Sequence, residues 1–472
     1  MIHLSPADIT VIFIYFISVV YIGFRAARRT VSSEEDFLLA GRSLTLPIFV
    51  MTLVSSWYGG ILGVGEFSYR YGISNWVTQG LPYYIFAAVF AFLLAKRIRA
   101  TNLYSIPDKL EAAYDRKTAI LGSLLTFILM TPAPYVLMLS IFLQMIFGWS
   151  MLVCLIVTSI VAVSYLYLGG FRSDVHTDVF EFIIMFIGFA VILPYCYTTY
   201  GGYDFLKTHL PPLHLTWHGG NSIQYILVWF FIALWTLVDP PFHQRCYAAK
   251  DGATAQRGVL VSIIFWFGFD FMTASAGLYS RAVLPHLANP VMAYPMLAET
   301  VLPSIAKGLF FVGMIATIMS SLNALAFVSA QTLGRDIILR LRGDLSLPLA
   351  EVNRKVTLYT QVCLMVSFSA SIVIGLAIPS VIQEWYTIGT VVIPGLLIPL
   401  VASYYDKLTI SSGYAFAAML LGWLTSTSWL IAGHVGNAGG SYPLSIEPMY
   451  PGLLAAMIIW GVGRVSQLNK LI

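Results

Sequence analysis

The sequence predicts an all-α membrane protein of about thirteen transmembrane helices, and three observations carry this prediction. Of the 472 residues, 58% are hydrophobic and 10% are charged, whereas soluble domains carry roughly 25% charged residues. Apolar runs long enough to cross a bilayer, which needs about 20 residues, recur along the whole chain. Lys and Arg collect between alternate runs, as expected of a chain that crosses a membrane many times.

The predicted membrane-spanning segments leave no room for a soluble domain. The two longest polar connections, 200–221 and 283–304, are loops with Pro and Gly and are too short for a separate fold. The sequence also lacks HExxH, GxSxG and GxxxxGKS/T motifs, so it predicts neither an enzyme nor an ATP-driven pump. In chain order the predicted segments are 8–27, 45–67, 76–95, 119–147, 150–168, 177–199, 222–242, 257–282, 305–333, 356–378, 382–402, 412–433 and 449–466.

The basic residues predict how the chain is oriented. With the N-terminus placed outside, 22 Lys and Arg residues, Arg245 among them, fall in cytoplasmic loops, and 4 fall on the opposite side. The positive-inside rule then predicts a multi-pass protein of the cell (inner) membrane with an outer N-terminus and a cytoplasmic C-terminus. The net charge of +4 follows from this topology, so no nucleic acid is expected as a partner. We expect the lipid bilayer as its surroundings and no obligate protein partner.

Two of the predicted helices are interrupted at membrane depth. In 45–67, four glycines fall between residues 59 and 65, and each costs a helix roughly 1 kcal/mol relative to alanine. In 222–242, an Asp-Pro-Pro sequence begins at Asp239, and proline lacks the N–H that continues a helix. Freed backbone groups are tolerated at this depth where they line a polar cavity or are buried in protein. For the glycine-rich helix, a close-packing interface of small residues is the alternative.

Interrupted helices at corresponding positions of two halves are the sequence pattern of an inverted-repeat transporter. Each interrupted helix here opens a group of five predicted spans. The sequence therefore predicts a five-plus-five inverted repeat with discontinuous first and sixth core helices. The expected divisions are 1–44 for an N-terminal extra transmembrane helix and cytoplasmic loop, 45–200 for the first repeat, 201–405 for the second repeat and 406–472 for two C-terminal transmembrane helices.

The predicted span 305–333 carries a stripe of hydroxyl groups. Thr317, Ser320 and Ser321 are spaced i, i+3 and i+4, which places them on one face of a helix, one above another. A row of oxygens in apolar surroundings suits a small hard cation. It equally suits hydrogen bonds between neighbouring helices, and the spacing by itself leaves both interpretations open.

Five short segments carry a family resemblance. They are FLLAGRSLTLP (37–47), SSWYGG (55–60), GGFRSDVHTD (169–178), HQRCYAAKDGATAQRG (243–258) and MSSLNALAFVSAQTLGRD (319–336). By their order and spacing the chain resembles the sodium:solute symporter family, which includes sodium-coupled sugar, proline, sialic acid and monocarboxylate transporters. The resemblance implies the five-plus-five fold and sodium-coupled secondary active symport, in which a small polar organic solute is imported by alternating access.

The resemblance also implies a sodium site at the hydroxyl stripe, with the sodium ion as the coupling ion. Matched to the family, the ligands on the stripe are the carbonyl of Thr317 and the hydroxyls of Ser320 and Ser321. The interrupted helix adds the carbonyls of Ser55 and Tyr58. Five neutral oxygens suit a monovalent cation, since carboxylates would be expected for Ca²⁺.

Two departures from the family pattern bear on the ions and on the solute. Family members that use a second sodium carry another serine pair where this chain has Asn323 and Ala324, although the accompanying aspartate, Asp178, is present. We therefore expect one sodium per cycle. Sugar transporters of the family keep a glutamine where this chain has Leu62 and an asparagine where it has Ile232, so a hexose is not expected.

The resemblance places the solute site among aromatic residues around the two interruptions, where Trp235 matches the family's aromatic gating position. Aromatic walls with a few polar groups suit a small organic solute. Aromatic residues of membrane helices also occur in cores and interfacial belts, and that alternative stays open. The candidate solute contacts are Trp57, Gly59, Tyr135, Trp229, Ile232 and Trp235.

Three aspartates, Asp178, Asp239 and Asp270, are candidate ionisable groups because carboxylates within membrane spans are costly. Asp178 lies near a predicted span end, where Arg172 could pair with it. Asp239 could cap the half-helix that follows it or could bind a ligand. Two functional alternatives remain open at this point: symport coupled to protons carried by these aspartates, and a solute-sensing membrane protein without transport.

Overall fold

The computed structural model describes residues 2–28, 33–377, 381–436 and 442–468, so the parts of predicted segments and loops at 1, 29–32, 378–380, 437–441 and 469–472 lie outside the described residues. No β-strand occurs within those ranges, where an isolated bridge pairs Leu44 with Ala249. Short 3₁₀ or π-helical turns join several helices. The α-helices are α1 (Pro6–Ala27), α2 (Glu34–Leu39), α3 (Leu46–Trp57), α4 (Ile61–Tyr71), α5 (Leu81–Phe90), α6 (Lys96–Ala100), α7 (Ile106–Ala113), α8 (Arg116–Leu129), α9 (Ala133–Phe147), α10 (Met151–Tyr200), α11 (Tyr203–His209), α12 (Ile223–Ile232), α13 (Trp235–Val238), α14 (Pro240–Ala248), α15 (Gly252–Val283), α16 (Ala293–Val301), α17 (Ala306–Gln331), α18 (Arg340–Arg342), α19 (Leu349–Ala377), α20 (Val381–Ser403), α21 (Ser412–Gly436) and α22 (Met449–Leu468).

Twelve helical stretches within the described ranges are long and apolar enough to cross a membrane. Each overlaps one predicted span, which confirms the prediction of an all-α membrane protein. The remaining predicted span, 150–168, corresponds to Met151–Ser164, a shorter apolar stretch of α10. The count by length and apolar character is thus twelve where the sequence predicts about thirteen. The repeat boundaries 45–200 and 201–405 stay a prediction.

The long helix α10 is broken at Gly170. This glycine has φ 54° and ψ −147°, a conformation that residues with a side chain rarely adopt. A Cβ atom at this position would lie 2.6 Å from the carbonyl oxygen of Phe37 on α2. The break falls between the predicted spans 150–168 and 177–199, so the two spans correspond to two arms of one helix.

The first predicted interruption is present in the structure. α3 ends at Trp57, a 3₁₀ turn occupies Tyr58–Gly60, and α4 begins at Ile61. The N–H of Gly59 bonds to the hydroxyl of Ser321 on α17 at 2.7 Å. The turn is buried, and a freed backbone group at membrane depth needs a partner within the protein. The bond from Gly59 to Ser321 supplies one such partner.

The second interruption divides its segment into three short helices. α12 ends at Ile232, α13 covers Trp235–Val238, and α14 begins at Pro240. Between α13 and α14, Asp239 has extended backbone (φ −70°, ψ 112°), and its side chain accepts a hydrogen bond from the N–H of Phe242 at 3.1 Å. An acceptor at the N-cap followed by proline in the first turn is a strong helix start.

α17 lies at the centre of the fold. Within the span Ala306–Arg342, 94% of an 18-residue apolar stretch is buried inside the protein. The helix packs against α1, α3, α10 and α19. Because α17 is enclosed by other helices, its polar side chains face protein rather than lipid, and they need partners there.

α1, which precedes the predicted repeats, is joined to this core through two buried carboxylates. Oδ1 of Asp8 accepts hydrogen bonds from the N–H groups of Ile305 and Gly308, both at 2.9 Å, where α17 begins. The hydroxyl of Tyr15 donates to Oε1 of Glu181 on α10 at 2.9 Å. The first helix is therefore held to both α10 and α17 by specific hydrogen bonds.

Candidate functional site

The hydroxyl stripe of α17 contacts the first interruption. Thr317, Ser320 and Ser321 are fully buried. The hydroxyl of Ser321 accepts the N–H of Gly59 and donates to the carbonyl of Ser56, each at 2.7 Å. One side chain of α17 thereby bonds both to the end of α3 and to the turn that follows it.

Ser55 and Tyr58, the two predicted carbonyl ligands, are buried; Ser55 lies in the last turn of α3, and Tyr58 begins the 3₁₀ turn that follows. The hydroxyl of Ser55 donates to the carbonyl of Met51 at 2.9 Å. The hydroxyl of Tyr58 donates to the carbonyl of Trp266 at 3.1 Å. The structure thus brings the end of α3 and the turn after it against the stripe, and the role of Ser55 and Tyr58 as sodium ligands stays a prediction.

The other two stripe residues have partners of different kinds. The hydroxyl of Thr317 donates to the carbonyl of Met314 in its own helix at 2.7 Å. The hydroxyl of Ser320 donates to Oδ1 of Asp178 on α10 at 2.5 Å. The other oxygen of Asp178 accepts from Nη2 of Arg245 at 3.1 Å. Ser320 therefore links the stripe to a buried ion pair.

This ion pair extends to a second aspartate. Nη2 of Arg245 also lies 3.3 Å from Oδ2 of Asp174, and the side chains of Asp174, Asp178 and Arg245 have no solvent exposure. The sequence placed Arg245 in a loop, but α14 continues as a buried helix beyond the prolines and carries it inward. Arg172, expected beside Asp178, pairs instead with Asp36 on α2.

Glu181 is a buried carboxylate that the sequence analysis missed. It is fully buried and accepts the hydroxyl of Tyr15 on α1. A signal was available, because Asp174, Asp178 and Glu181 are spaced i, i+4 and i+7 and therefore share one face of a helix. An acidic stripe along one face of a membrane helix indicates that this face meets protein.

A cavity of about 130 Å³ lies beside both interruptions. Nearly half of the residues that line it are aromatic, and the wall draws on both interrupted helices together with α5, α9 and α15. The predicted solute contacts that line it are Trp57, Tyr135, Trp229, Ile232 and Trp235. The structure brings these five residues together around one cavity, and their role as solute contacts stays a prediction.

Gly59 does not line the cavity, although its neighbour Gly60 does. A Cβ atom on Gly59 would lie 2.2 Å from Cβ of Ser321 and 2.3 Å from Cε1 of Tyr135. No side chain fits between those two residues, so the close approach requires glycine. Gly59 therefore lies between the hydroxyl stripe and Tyr135 of the cavity wall, and its role as a solute contact stays a prediction.

Several lining residues were not predicted, and most of the polar and aromatic ones among them come from helices outside the interrupted segments. The ring of Trp57 packs edge-on against Tyr83 of α5, with 5.1 Å between ring centroids, and lies 5.9 Å from Trp266 of α15. In spans that are apolar on every side, no periodicity marks which face meets a cavity. The unpredicted lining residues with polar or aromatic side chains are Ser56, Gln79, Tyr83, Tyr84, Phe242, Trp266 and Trp385.

Two of the three candidate aspartates face this cavity. Asp239 lines it while accepting hydrogen bonds from the N–H of Phe242 and from Nε1 of Trp235, both at 3.1 Å. Asp270 of α15 lines it and accepts the hydroxyl of Tyr84. Asp178 lies outside it, at the stripe.

Interrupted helices beside an enclosed polar and aromatic cavity define a membrane transporter of the inverted-repeat type. A model of the sodium:solute symporter family matches residues 37–422 of this chain. The chain therefore belongs to the sodium:solute symporter family.

Individual relatives agree with this assignment. A sodium/pantothenate symporter of Haemophilus influenzae is 24% identical over 406 residues, which cover 82% of each chain. A sodium/pantothenate symporter of Escherichia coli is 27% identical over 336 residues, covering 67% of this chain and 69% of the relative. The solved structure of a Na⁺-coupled sialic acid symporter in its substrate-bound outward-open state superposes with a TM-score of 0.76 at 16% identity, covering 98% of both chains.

These findings confirm the class and the coupling ion. The protein is a multi-pass membrane transporter rather than an enzyme, and it carries out sodium-coupled symport, with sodium and a small-molecule solute as its transported partners. Its orientation in the membrane, its solute and the absence of a protein partner stay predictions.

Proposed function

We propose that this chain imports a small polar organic solute with sodium by alternating access, in a cell (inner) membrane, with its N-terminus outside and its C-terminus in the cytoplasm. The observation that supports the proposal best is the packing of Gly59 between Ser321 and Tyr135. This contact joins the candidate sodium ligands to the wall of the cavity through a single residue. A shift of Ser321 at the candidate sodium site would therefore move Tyr135 in the cavity wall, and the reverse also holds.

The geometry suggests how the ion acts on the cavity. Sodium would be bound by the hydroxyls of Ser320 and Ser321 and by the carbonyls of Thr317, Ser55 and Tyr58. In the structure the Ser321 hydroxyl bonds to the turn of the interrupted helix, and a bound cation competes for that oxygen. Binding then favours the arrangement of the turn that best supplies its carbonyls, because a ligand shifts an equilibrium by its differential affinity for two states.

The proposal is tested by replacing the two stripe serines. Ser320→Ala and Ser321→Ala are each expected to raise the sodium concentration for half-maximal uptake about ten- to a hundred-fold, since losing one hydroxyl ligand costs roughly 1–3 kcal/mol. Uptake by proteoliposomes at fixed pH, measured across a range of sodium concentrations, reports this value. The same series without sodium tests the proton-coupled alternative through Asp178, Asp239 or Asp270, which the comparisons do not favour.

Ser329→Ala is the matched control. Ser329 is a buried serine on the same helix, and its hydroxyl bonds to that of Ser367, away from the interruption. The control should keep the sodium dependence of the unmodified protein. If both stripe variants also keep it, the sodium site lies elsewhere.

A further inference from the structure

We infer that the cavity selects a solute that carries a positive charge, a quaternary or protonated amine. This inference rests on the proposed function and narrows the class of solute. It is carried by two features of the wall, its carboxylates and its aromatic rings.

In the described part of the chain, the cavity wall carries two carboxyl groups and no basic group. Asp239 at the start of α14 and Asp270 in α15 both line it. Among the described residues that line the cavity, none is Lys, Arg or His. An ionised carboxylate in low-dielectric surroundings is costly unless a cation accompanies it. A cationic solute would supply the charge that the wall lacks.

The hydrogen-bond partners of these aspartates are neutral. Asp239 accepts from the N–H of Phe242 and the indole of Trp235. Asp270 accepts from the hydroxyl of Tyr84. Within the described ranges, neither aspartate takes part in an ion pair. Such donors hold the carboxylates in place without cancelling their charge.

Arg245 is the arginine nearest to Asp239 along the chain, and its hydrogen bonds go to other carboxylates. Its Nη2 bonds to Asp174 and Asp178 of α10, which form the buried ion pair beside Ser320. It is not part of the cavity wall. Within the residues that the structure describes, the wall itself therefore offers no basic side chain to pair with its two carboxyl groups.

The rest of the wall favours the same class of solute. Trp57 packs with Tyr83, Phe242 and Trp266 at ring-centroid distances of 5.1, 5.3 and 5.9 Å, which encloses one side of the cavity in aromatic rings. The faces of aromatic rings attract cations, and cages of such rings bind quaternary ammonium groups. A solute that is purely anionic would meet two carboxylates and no basic group.

The inference is tested with charged probes and an uncharged isostere. Choline, tetramethylammonium and methylammonium are compared with 3,3-dimethylbutan-1-ol, which has the shape of choline without its charge. The full-length protein is purified in detergent with saturating sodium, and binding is followed by thermal unfolding and by the fluorescence of the tryptophans in the wall. At least one of the cations is expected to bind at least tenfold more tightly than the isostere.

A variant then assigns the binding to the cavity. Asp270→Asn should weaken binding of that cation at least tenfold and leave the isostere unaffected. Glu66→Gln is the matched control, because Glu66 lies on α4 outside the cavity wall and pairs with Arg70 at 2.9 Å. The comparison of cations with the isostere needs no variant and holds even if Asp270→Asn fails to fold.

The outcomes separate this inference from the proposed function. If none of the three cations binds, or if the isostere binds equally well, the inference is wrong. If sodium still stabilises the unmodified protein but not Ser321→Ala, the proposed sodium site stands regardless of that result. If sodium does not stabilise the unmodified protein, that result contradicts the proposed function itself.

Discussion

The carboxylate of Asp239 caps the start of α14 and also lines the cavity. One oxygen caps α14 through the N–H of Phe242, and the other accepts the indole N–H of Trp235. The sequence left capping and ligand binding open as alternatives for this residue. The capping contact is present, and the position of the side chain on the cavity wall leaves it available to a solute as well.

The capping role predicts a difference between two substitutions. Asp239→Asn should keep most of the folding stability, because the amide oxygen still accepts the capping hydrogen bond, whereas Asp239→Ala should lose about 1 kcal/mol or more. Thermal unfolding of the purified variants measures this difference. Asp251 offers a matched cap, since it starts α15 and accepts the N–H of Thr254 at 2.7 Å. Asp251→Ala should lose a comparable amount and leave solute binding unchanged; unaltered stability of Asp239→Ala would refute the capping role.

At the scale of elements, the junction of α3, α9 and α17 depends on the absence of a side chain at Gly59. Gly59→Ala would place Cβ 2.2 Å from Ser321 and 2.3 Å from Tyr135. Overpacking of this kind costs about 1–3 kcal/mol, and separating these side chains should also weaken both sodium and solute binding. Thermal unfolding and sodium titration of the variant measure the two effects.

Gly268→Ala provides the comparison for this prediction. A Cβ atom at Gly268 in α15 would meet nothing within 4 Å, and alanine is a better helix former than glycine by about 0.5–1 kcal/mol. This variant should therefore be as stable as the unmodified protein or slightly more so. Equal behaviour of the two alanine variants would mean that the junction tolerates a side chain at Gly59.

The elements that the sequence predicted best are those with a local cause. Interruptions follow from glycine at 59–65 and from proline after Asp239, and both are properties of the backbone. The hydroxyl stripe follows from helical spacing. The buried position of Arg245 could not be predicted from the neighbouring sequence, because a basic residue after a predicted span is normally assigned to a loop. Its burial depends on α14 continuing as a helix and meeting α10.

The cavity wall shows the same limit. Tyr83, Trp266 and Trp385 lie in spans that are apolar on every side, so their sequence carries no information about which face meets the cavity. Gly59 was predicted from its position in the interruption, and the sequence did not show that its N–H bonds to Ser321 of the stripe. Contacts between distant helices determine both results, and a single sequence does not display them.

For the whole molecule, we predict one sodium per solute. The second serine pair of the family is replaced here by Asn323 and Ala324, both fully buried. Proteoliposomes held at zero membrane potential reach zero net flux when the solute gradient balances the sodium gradient. Under one-to-one coupling, a tenfold change in the sodium gradient is offset by a tenfold change in the solute gradient, each about 1.4 kcal/mol.

The measurement has a clear contrary result. Coupling to two sodiums would require a hundredfold solute gradient to offset the same tenfold sodium gradient. The Ser321→Ala variant, tested in parallel at high sodium, should change the rate at which balance is reached but not its position if coupling stays intact. A hundredfold balance in the unmodified protein would show that Asn323 and Ala324 do not exclude a second ion.

The bonds between α1 and α17 bear on the order in which the protein is made. Asp8 and its partner Ile305 are separated by 297 residues along the chain. At synthesis rates of about 5–20 residues per second, about 15–60 s pass between the appearance of the two partners. Until then the carboxylate of Asp8 has its local partner, Ser5, whose N–H bonds to Oδ2 at 2.9 Å. α1 must therefore stay in place in the bilayer until α17, the helix that carries the predicted sodium ligands, is made and packs beside it.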